Sequence, residues 1–168
     1  MIAGIPWAGA VMAAAVALSA CDRASESTYM PTPKDDPPME AAIAEARATL
    51  PVFWAKYDAA QDKSDFMVKA GMKDRNGGRE HIWIYLDGRA GESVNGRLAN
   101  VPEYLDETLQ LGSPVVVPVA DLSDWAYGRD GKYYGMYTTR VLLARMTPAQ
   151  RAESEAILAP TPLEPKTH

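Results

Sequence analysis

Of the two histidines in this chain, His168 is the terminal residue, so His81 is the only internal side chain that ordinarily exchanges a proton near neutral pH. It sits in Glu80-His81-Ile82-Trp83-Ile84-Tyr85-Leu86, where apolar and polar positions alternate as in a strand. Ile82, Ile84 and Leu86 share one face, and His81, Trp83 and Tyr85 share the other. If the second face lines a cleft, an imidazole between two aromatic rings suits ligand binding or proton transfer. The favoured reading is plainer: a histidine hydrogen-bonded beneath the N-terminal helix. Asp121 and Asp124 have the spacing of paired carboxylates for acid–base work. An Asp-x-x-Asp before a strand more often caps a turn through backbone N–H groups, and that reading is preferred.

Other chemistry is mostly excluded. The chain has no P-loop, no dinucleotide-binding G-x-G-x-x-G, no H-E-x-x-H and no EF-hand loop. Gly91-Glu92-Ser93-Val94-Asn95 fails as a nucleophile elbow, because Asn95 replaces the second glycine and a strand follows where a helix is needed. Asp58, Asp62 and Asp65 lack the alternating spacing of a calcium loop and read as a solvated turn. One cysteine excludes an intramolecular disulfide and every multi-cysteine zinc pattern. No cofactor and no metal site is expected. The net charge of −5 and a pI near 5.0 argue against a nucleic-acid partner.

The sole cysteine has a more specific context. Residues 1–20 carry no charged side chain, and Ala8 to Leu18 is small and aliphatic. A short apolar run ending in small residues reads as a secretory signal and not as a membrane span. Leu18-Ser19-Ala20-Cys21 resembles the lipobox of bacterial lipoproteins, in which the signal is cut before the cysteine and the thiol carries a diacylglyceryl group. The resemblance implies lipid attachment at Cys21, a periplasm-facing membrane anchor and a cell-envelope location. From Asp22 to Glu40 the chain has four prolines, five acids and two bases, with too little apolar surface to offset its ordering entropy.

The expected division is a signal peptide over 1–20, a Pro-rich acidic tether over 21–40, a folded domain over 41–147, and a C-terminal helix with a disordered Pro-rich tail over 148–168. Residues 41–147 hold 13 basic and 14 acidic side chains, so the acidity lies mainly in the tether. The domain reads as α+β: a curved, mostly antiparallel sheet of five or six strands with a kinked N-terminal helix and short C-terminal helices. Ile43, Ala46, Leu50, Phe53 and Tyr57 follow helical spacing over 39–58, with Pro51 expected to kink or divide the helix near Thr49. Strands are expected at 66–70, 80–86, 93–99 and 115–119, the second ended by Asp87-Gly88. A hairpin is expected around Arg129-Asp130-Gly131. Pro102 is expected to open a short helix that Gly112 closes, and Val141 to Met146 suits a short helix or an extended edge. Thr147-Pro148-Ala149-Gln150 has the form of a capping box for a last helix. Twelve of the 14 aromatic residues lie between Phe53 and Tyr137, a density that serves a core better than a glycan or peptide platform.

Four motifs together resemble one known family. Ala48-Thr49-Leu50-Pro51-Val52-Phe53-Trp54, Glu80-His81-Ile82-Trp83, Gly96 to Pro102 (GRLANVP), and Asp124-Trp125-Ala126-Tyr127 followed by Gly131 to Thr138 (GKYYGMYT) are similar to the YegJ-like proteins, the domain of unknown function 2314 family. The resemblance covers about residues 42–147 in order. It implies one compact α+β unit and brings no reaction or ligand with it. Asn100, Asp124 and Trp125 belong to these motifs and carry polar groups, so they are expected as the second wall of a groove beside His81, Trp83 and Tyr85.

Two functions follow as expectations. The first is a non-catalytic envelope lipoprotein whose domain binds a protein, glycan or small ligand. The second is a small hydrolase-like enzyme using His81 with an acidic partner, Asp124 or Glu80. The first needs no special geometry and is preferred. Mass spectrometry of the native N-terminus is expected to show a lipid-modified Cys21 and no peptide from residues 1–20. An unmodified chain starting at Met1 would remove the basis for an envelope location.

Overall fold

The computed structural model describes residues 35–165. The expected signal segment, Cys21 and the expected tether up to residue 34 lie outside the described residues. Helix α1 spans Pro37–Ala59 and is followed by strands β1 (Phe66–Lys73), β2 (Arg79–Ala90), β3 (Ser93–Leu98) and β4 (Pro114–Pro118). A single 3-10 turn, Val119–Asp121, leads into β5 (Leu122–Arg129), β6 (Lys132–Gly135), α2 (Tyr137–Leu142), a second 3-10 turn at Leu143–Arg145, and α3 (Pro148–Ile157). The six strands form one open antiparallel sheet in the order β4-β3-β2-β1-β5-β6. This is the expected single-domain α+β fold.

The sheet has two unlike faces. Phe66, Val68 and Ala70 of β1, Ile82, Ile84 and Leu86 of β2, and Trp125 and Tyr127 of β5 are buried in one cluster with Ala42, Ala46, Phe53 and Tyr57 of α1. Ring contacts tie the layers together, with Phe53 at 5.5 Å from Trp125 and 5.7 Å from Phe66. Half of the twelve clustered aromatics, Phe53, Tyr57, Phe66, Trp125, Tyr127 and Tyr137, are buried in this core.

Pro51 does not divide α1, which is continuous through it. The helix also starts earlier than expected. Pro37 and Pro38 occupy its first turn, where missing N–H groups leave no bond unmade. Strand β2 likewise runs through Asp87-Gly88 to Ala90, because a bulge between Leu86 and Gly88 absorbs the irregularity and pairing with β3 resumes.

The helix expected between Pro102 and Gly112 is absent. The carbonyls of Glu103 and Tyr104, which would begin its ladder, accept instead from the Arg75 side chain and the Arg75 backbone N–H, at 3.1 and 3.0 Å. The buried Glu80 carboxylate accepts the N–H groups of Glu103, Tyr104 and Leu105 at 2.8–3.0 Å. The segment becomes a pinned loop that delivers Leu105 to the core.

Residues 159–165, expected as a disordered tail, lie along β6. Ala159 donates to the Tyr133 carbonyl at 2.9 Å, and Gly135 donates to the Pro162 carbonyl at 2.8 Å. Glu164 accepts from Lys56, Arg129 and the Tyr127 hydroxyl at 2.8–3.0 Å. Composition had weighed only the tail's apolar area, whereas backbone pairing and one multiply bonded carboxylate hold it. The opposite edge is blunted differently. Ser113 bonds to Leu98 of β3 and Val119 to Glu92 just before that strand, so the even-numbered positions of β4 point outward, and two of those three are Pro114 and Pro118, which have no N–H.

Asp124 joins β5 to α2. Its two carboxylate oxygens accept from the N–H groups of Trp125, Tyr137 and Thr138 and from the Thr138 hydroxyl, at 2.7–3.1 Å. The chain reaches α2 through two left-handed residues, Gly135 (φ 75°) and Met136 (φ 53°). A Cβ at position 135 would meet the Trp125 carbonyl at 2.2 Å, so only glycine fits there. Asp124→Asn puts an NH2 group against donors and is expected to cost roughly 2–4 kcal/mol. Urea unfolding should show a lower midpoint with an unchanged slope.

Candidate functional site

The strand registers place the polar residues of the face opposite α1 in cross-strand rows. Gly71 of β1 stands opposite His81; Lys69 stands opposite both Trp83 and Asp124; Met67 stands opposite both Tyr85 and Ala126. Tyr85 also faces Arg97 of β3. Ser123 is the extra residue at the β1–β5 register shift, which brings it level with His81.

His81, Trp83, Tyr85 and Asp124 therefore share one face, as alternation requires. His81 and Tyr85 are exposed, the latter at 45%, and Trp83 is half-buried. The preferred expectation that this triplet lies beneath the N-terminal helix is overturned. α1 covers the other face, because burying Ile82, Ile84 and Leu86 removes far more apolar surface from water. Asn100 sits beside Trp83 and accepts its backbone N–H at 3.3 Å. Trp125 cannot form a wall of this face. It is 0% exposed, points toward α1, and donates its Nε1–H to the Ala46 carbonyl and Thr49 Oγ1 at 3.0 and 3.1 Å. Asp124 is buried and committed to α2, so it presents no free oxygen edge.

His81 reaches across β1 to β5. Its Nδ1 lies 2.8 Å from Ser123 Oγ, and Ser123 Oγ lies 3.3 Å from the Lys69 carbonyl. The ring rests on Gly71, where a Cβ would come within 3.1 Å of both Cε1 and Nε2. Among the described residues no carboxylate touches the imidazole and Nε2 has no partner. Burial of the ring's inner edge, then the charges of Lys69, Arg79 and Arg47, bring its pKa down from 6.5 to about 4. His81 is neutral at pH 7.

A His–Ser contact of this length resembles a nucleophile and its base. Ser123, however, is 0% exposed, so a substrate carbonyl has no path to its oxygen. Lys69 is the other unusual group. Its Nζ lies 3.3 Å from Thr138 Oγ1 and 5.5 Å from the centre of the Trp83 ring. Burial pushes its ammonium down while Asp124 pulls it up; burial pushes the Asp124 carboxyl up against the pull of Thr138 and Lys69. All four groups bonded to Asp124 are donors, which fits a carboxylate. No group of three His, Cys, Asp or Glu residues among those described is placed to hold a metal ion.

A cavity of about 530 Å³ opens at the other end of the face, bordered by Tyr85, Lys63, Asp87, Arg97 and Leu111. Of the residues expected from sequence, only Tyr85 lines it. Ser123, Lys69, Gly71 and Arg79 were not anticipated. Two of them carried a signal: a lysine between apolar strand residues needs a partner, and a glycine in a strand interior marks a close approach.

The chain belongs to the family described as "Uncharacterized protein conserved in bacteria (DUF2314)", which it matches over residues 36–158. It is 35% identical over 132 residues to a putative ankyrin repeat protein of Neisseria meningitidis serogroup B, covering 72% of this chain and 51% of that protein. It is 31% identical over 98 residues to the uncharacterized protein YegJ of Escherichia coli K12, covering 58% of this chain and 63% of YegJ. The chain thus spans about half the length of the first relative and under two thirds of the second. No solved structure matches. No helix among the described residues is long and apolar enough to cross a membrane.

The His81 environment sets a pH dependence. The folded protein binds this proton only near pH 4, whereas the unfolded chain binds it near 6.5. Between those values the unfolded state holds more protons, so stability is full above about pH 6.5 and falls as pH drops toward 4. In His81→Gln that part of the loss should vanish, read as the wild-type-minus-variant difference in urea midpoints across pH 4–7.

Proposed function

We propose that this protein is a lipid-anchored envelope protein whose DUF2314 domain is a non-catalytic binding module. Its ligand is engaged on the sheet face that carries His81, Trp83 and Tyr85. The observation that carries the reading is the exposure of this face over β2 and β3, ending at the cavity beside Tyr85. The lipobox-like Leu18-Ser19-Ala20-Cys21 supports the anchor, and the Pro-rich residues after it suit a spacer between membrane and domain. The likeness to a longer protein named for ankyrin repeats fits a domain that works beside other modules.

The hydrolase-like alternative has less support. Its acidic partners are engaged elsewhere, Asp124 by α2 and Glu80 by the 103–105 backbone.

Site-specific photocrosslinking tests the binding face. A benzophenone side chain at Tyr85 is expected to give a discrete adduct in intact cells. The same group at Val52, exposed on α1 on the far side of the sheet, should give none. No adduct at Tyr85, or equal labelling at both positions, would overturn the assignment of this face.

A further inference from the structure

Two basic side chains and the imidazole converge on one short stretch, the junction between the Val119–Asp121 turn and β5. Arg47, from α1, donates Nε to the Leu122 carbonyl at 2.8 Å and Nη2 to the Ala120 carbonyl at 3.4 Å. Arg79, two residues before His81 on β2, donates Nη1 to the Gly71 carbonyl at 2.7 Å and to Asp121 at 2.6 Å. His81 meets Ser123 in the same stretch. Lys69 stands one row along β1.

The carboxylates nearby do not balance these charges. Asp121 pairs with Arg79, and Asp124 is occupied by four donors and faces Lys69 through Thr138. Arg47 meets only carbonyls among the described residues. The neutral imidazole of an exposed residue is thus left in a positive field. Burial, and after it the same three cations, hold its proton affinity down.

Gly71 shapes the spot. From the point where its Cβ would stand, His81 Nε2 is 3.1 Å away and the Arg79 Cδ is 3.5 Å away. The imidazole edge and the Arg79 stem therefore lie side by side above a position with no side chain. Arg79 Nε and Nη2 have no partner among the described residues.

We propose that the His81 Nε2 edge, with Arg79 beside it, is a binding site for a small oxyanion taken up together with a proton on the imidazole. Without an anion, a proton on His81 is repelled by Lys69, Arg79 and Arg47. An oxyanion between the ring and Arg79 turns that repulsion into attraction and makes the imidazolium the favoured form. The coupling is reciprocal, so lower pH tightens anion binding. This inference rests on the reading of the His81 face as a binding surface, and it names a ligand class for one end of it.

The test is an NMR titration of the His81 imidazole in the mature protein, in sodium sulfate, sodium trifluoroacetate and sodium chloride at equal ionic strength. The first two stay ionised across the range and stand for phosphate-like and carboxylate ligands. The expected result is a midpoint raised by about 1–3 pH units in at least one oxyanion relative to chloride. A response to sulfate only assigns a tetrahedral anion, and a response to trifluoroacetate only assigns a carboxylate. Arg79→Gln should remove most of the anion-induced increment. Should that variant fail to fold, Gly71→Ala, whose methyl would press on His81 Cε1 and Nε2 at 3.1 Å and shift that edge relative to Arg79, should do the same. An unchanged midpoint in all three salts, or an increment that survives the substitution, overturns the proposal. A flat titration with the Tyr85 adduct intact discards the anion site and leaves the binding face standing; loss of both removes the reading beneath it.

Discussion

Two adjacent residues of β5 hold the layers of this domain, and the rest of the fold depends on the pair. Asp124 points to one face and takes the first N–H groups of α2 together with the Thr138 hydroxyl. Trp125 points to the other, packs on Phe53 and donates its indole N–H to α1. A carboxylate this deeply buried is tolerable only because every oxygen lone pair is used. That requirement fixes where α2 begins. It also stabilises the left-handed Met136, whose backbone N–H is taken by the Trp125 carbonyl at 2.9 Å. Tyr137 then joins the α1 core, while Met136 enters the small cluster on the opposite face with Met67, Ala126 and Leu158.

This arrangement divides the outer face of the sheet. Over β1, β5 and β6 it is covered by Met136, Leu143 and Leu158, and the tail then closes the β6 edge. Over β2 and β3 it is open, and that is where His81, Tyr85 and Arg97 are exposed. The division explains the polarity of the candidate site. Close to the covered half, Lys69 and Asp124 are desolvated and need one another. At its margin, His81 is exposed as a residue, with Nδ1 on Ser123 and the Cε1–Nε2 edge over Gly71.

The two ends of the sheet solve the unpaired-edge problem by different chemistry. At β4, prolines remove outward donors without covering Val116, which remains 71% exposed. At β6, residues 158–162 satisfy the edge with backbone bonds and Glu164 fastens the chain beyond them. The family match ends at residue 158, and Glu164 lies beyond it.

The alternation in β2, the Asp130-Gly131 hairpin turn and the Thr147/Gln150 capping box each depend on neighbours within a few residues, and all three are present. Alternation assigns residues to two faces, so His81, Trp83 and Tyr85 were legible as a set apart from Ile82, Ile84 and Leu86. It cannot say what lies over each face. That choice was made by the whole apolar surface of β1, β2 and β5 competing for α1, and it put His81 on the side away from the helix. The partners of polar groups are equally non-local. Glu80 met the 103–105 backbone, Asp124 met α2, Glu164 met Lys56 and Arg129, and Ser123 came level with His81 through a bulge, because a buried polar group bonds to whatever donor the packed layers bring within 3 Å, at any distance along the chain.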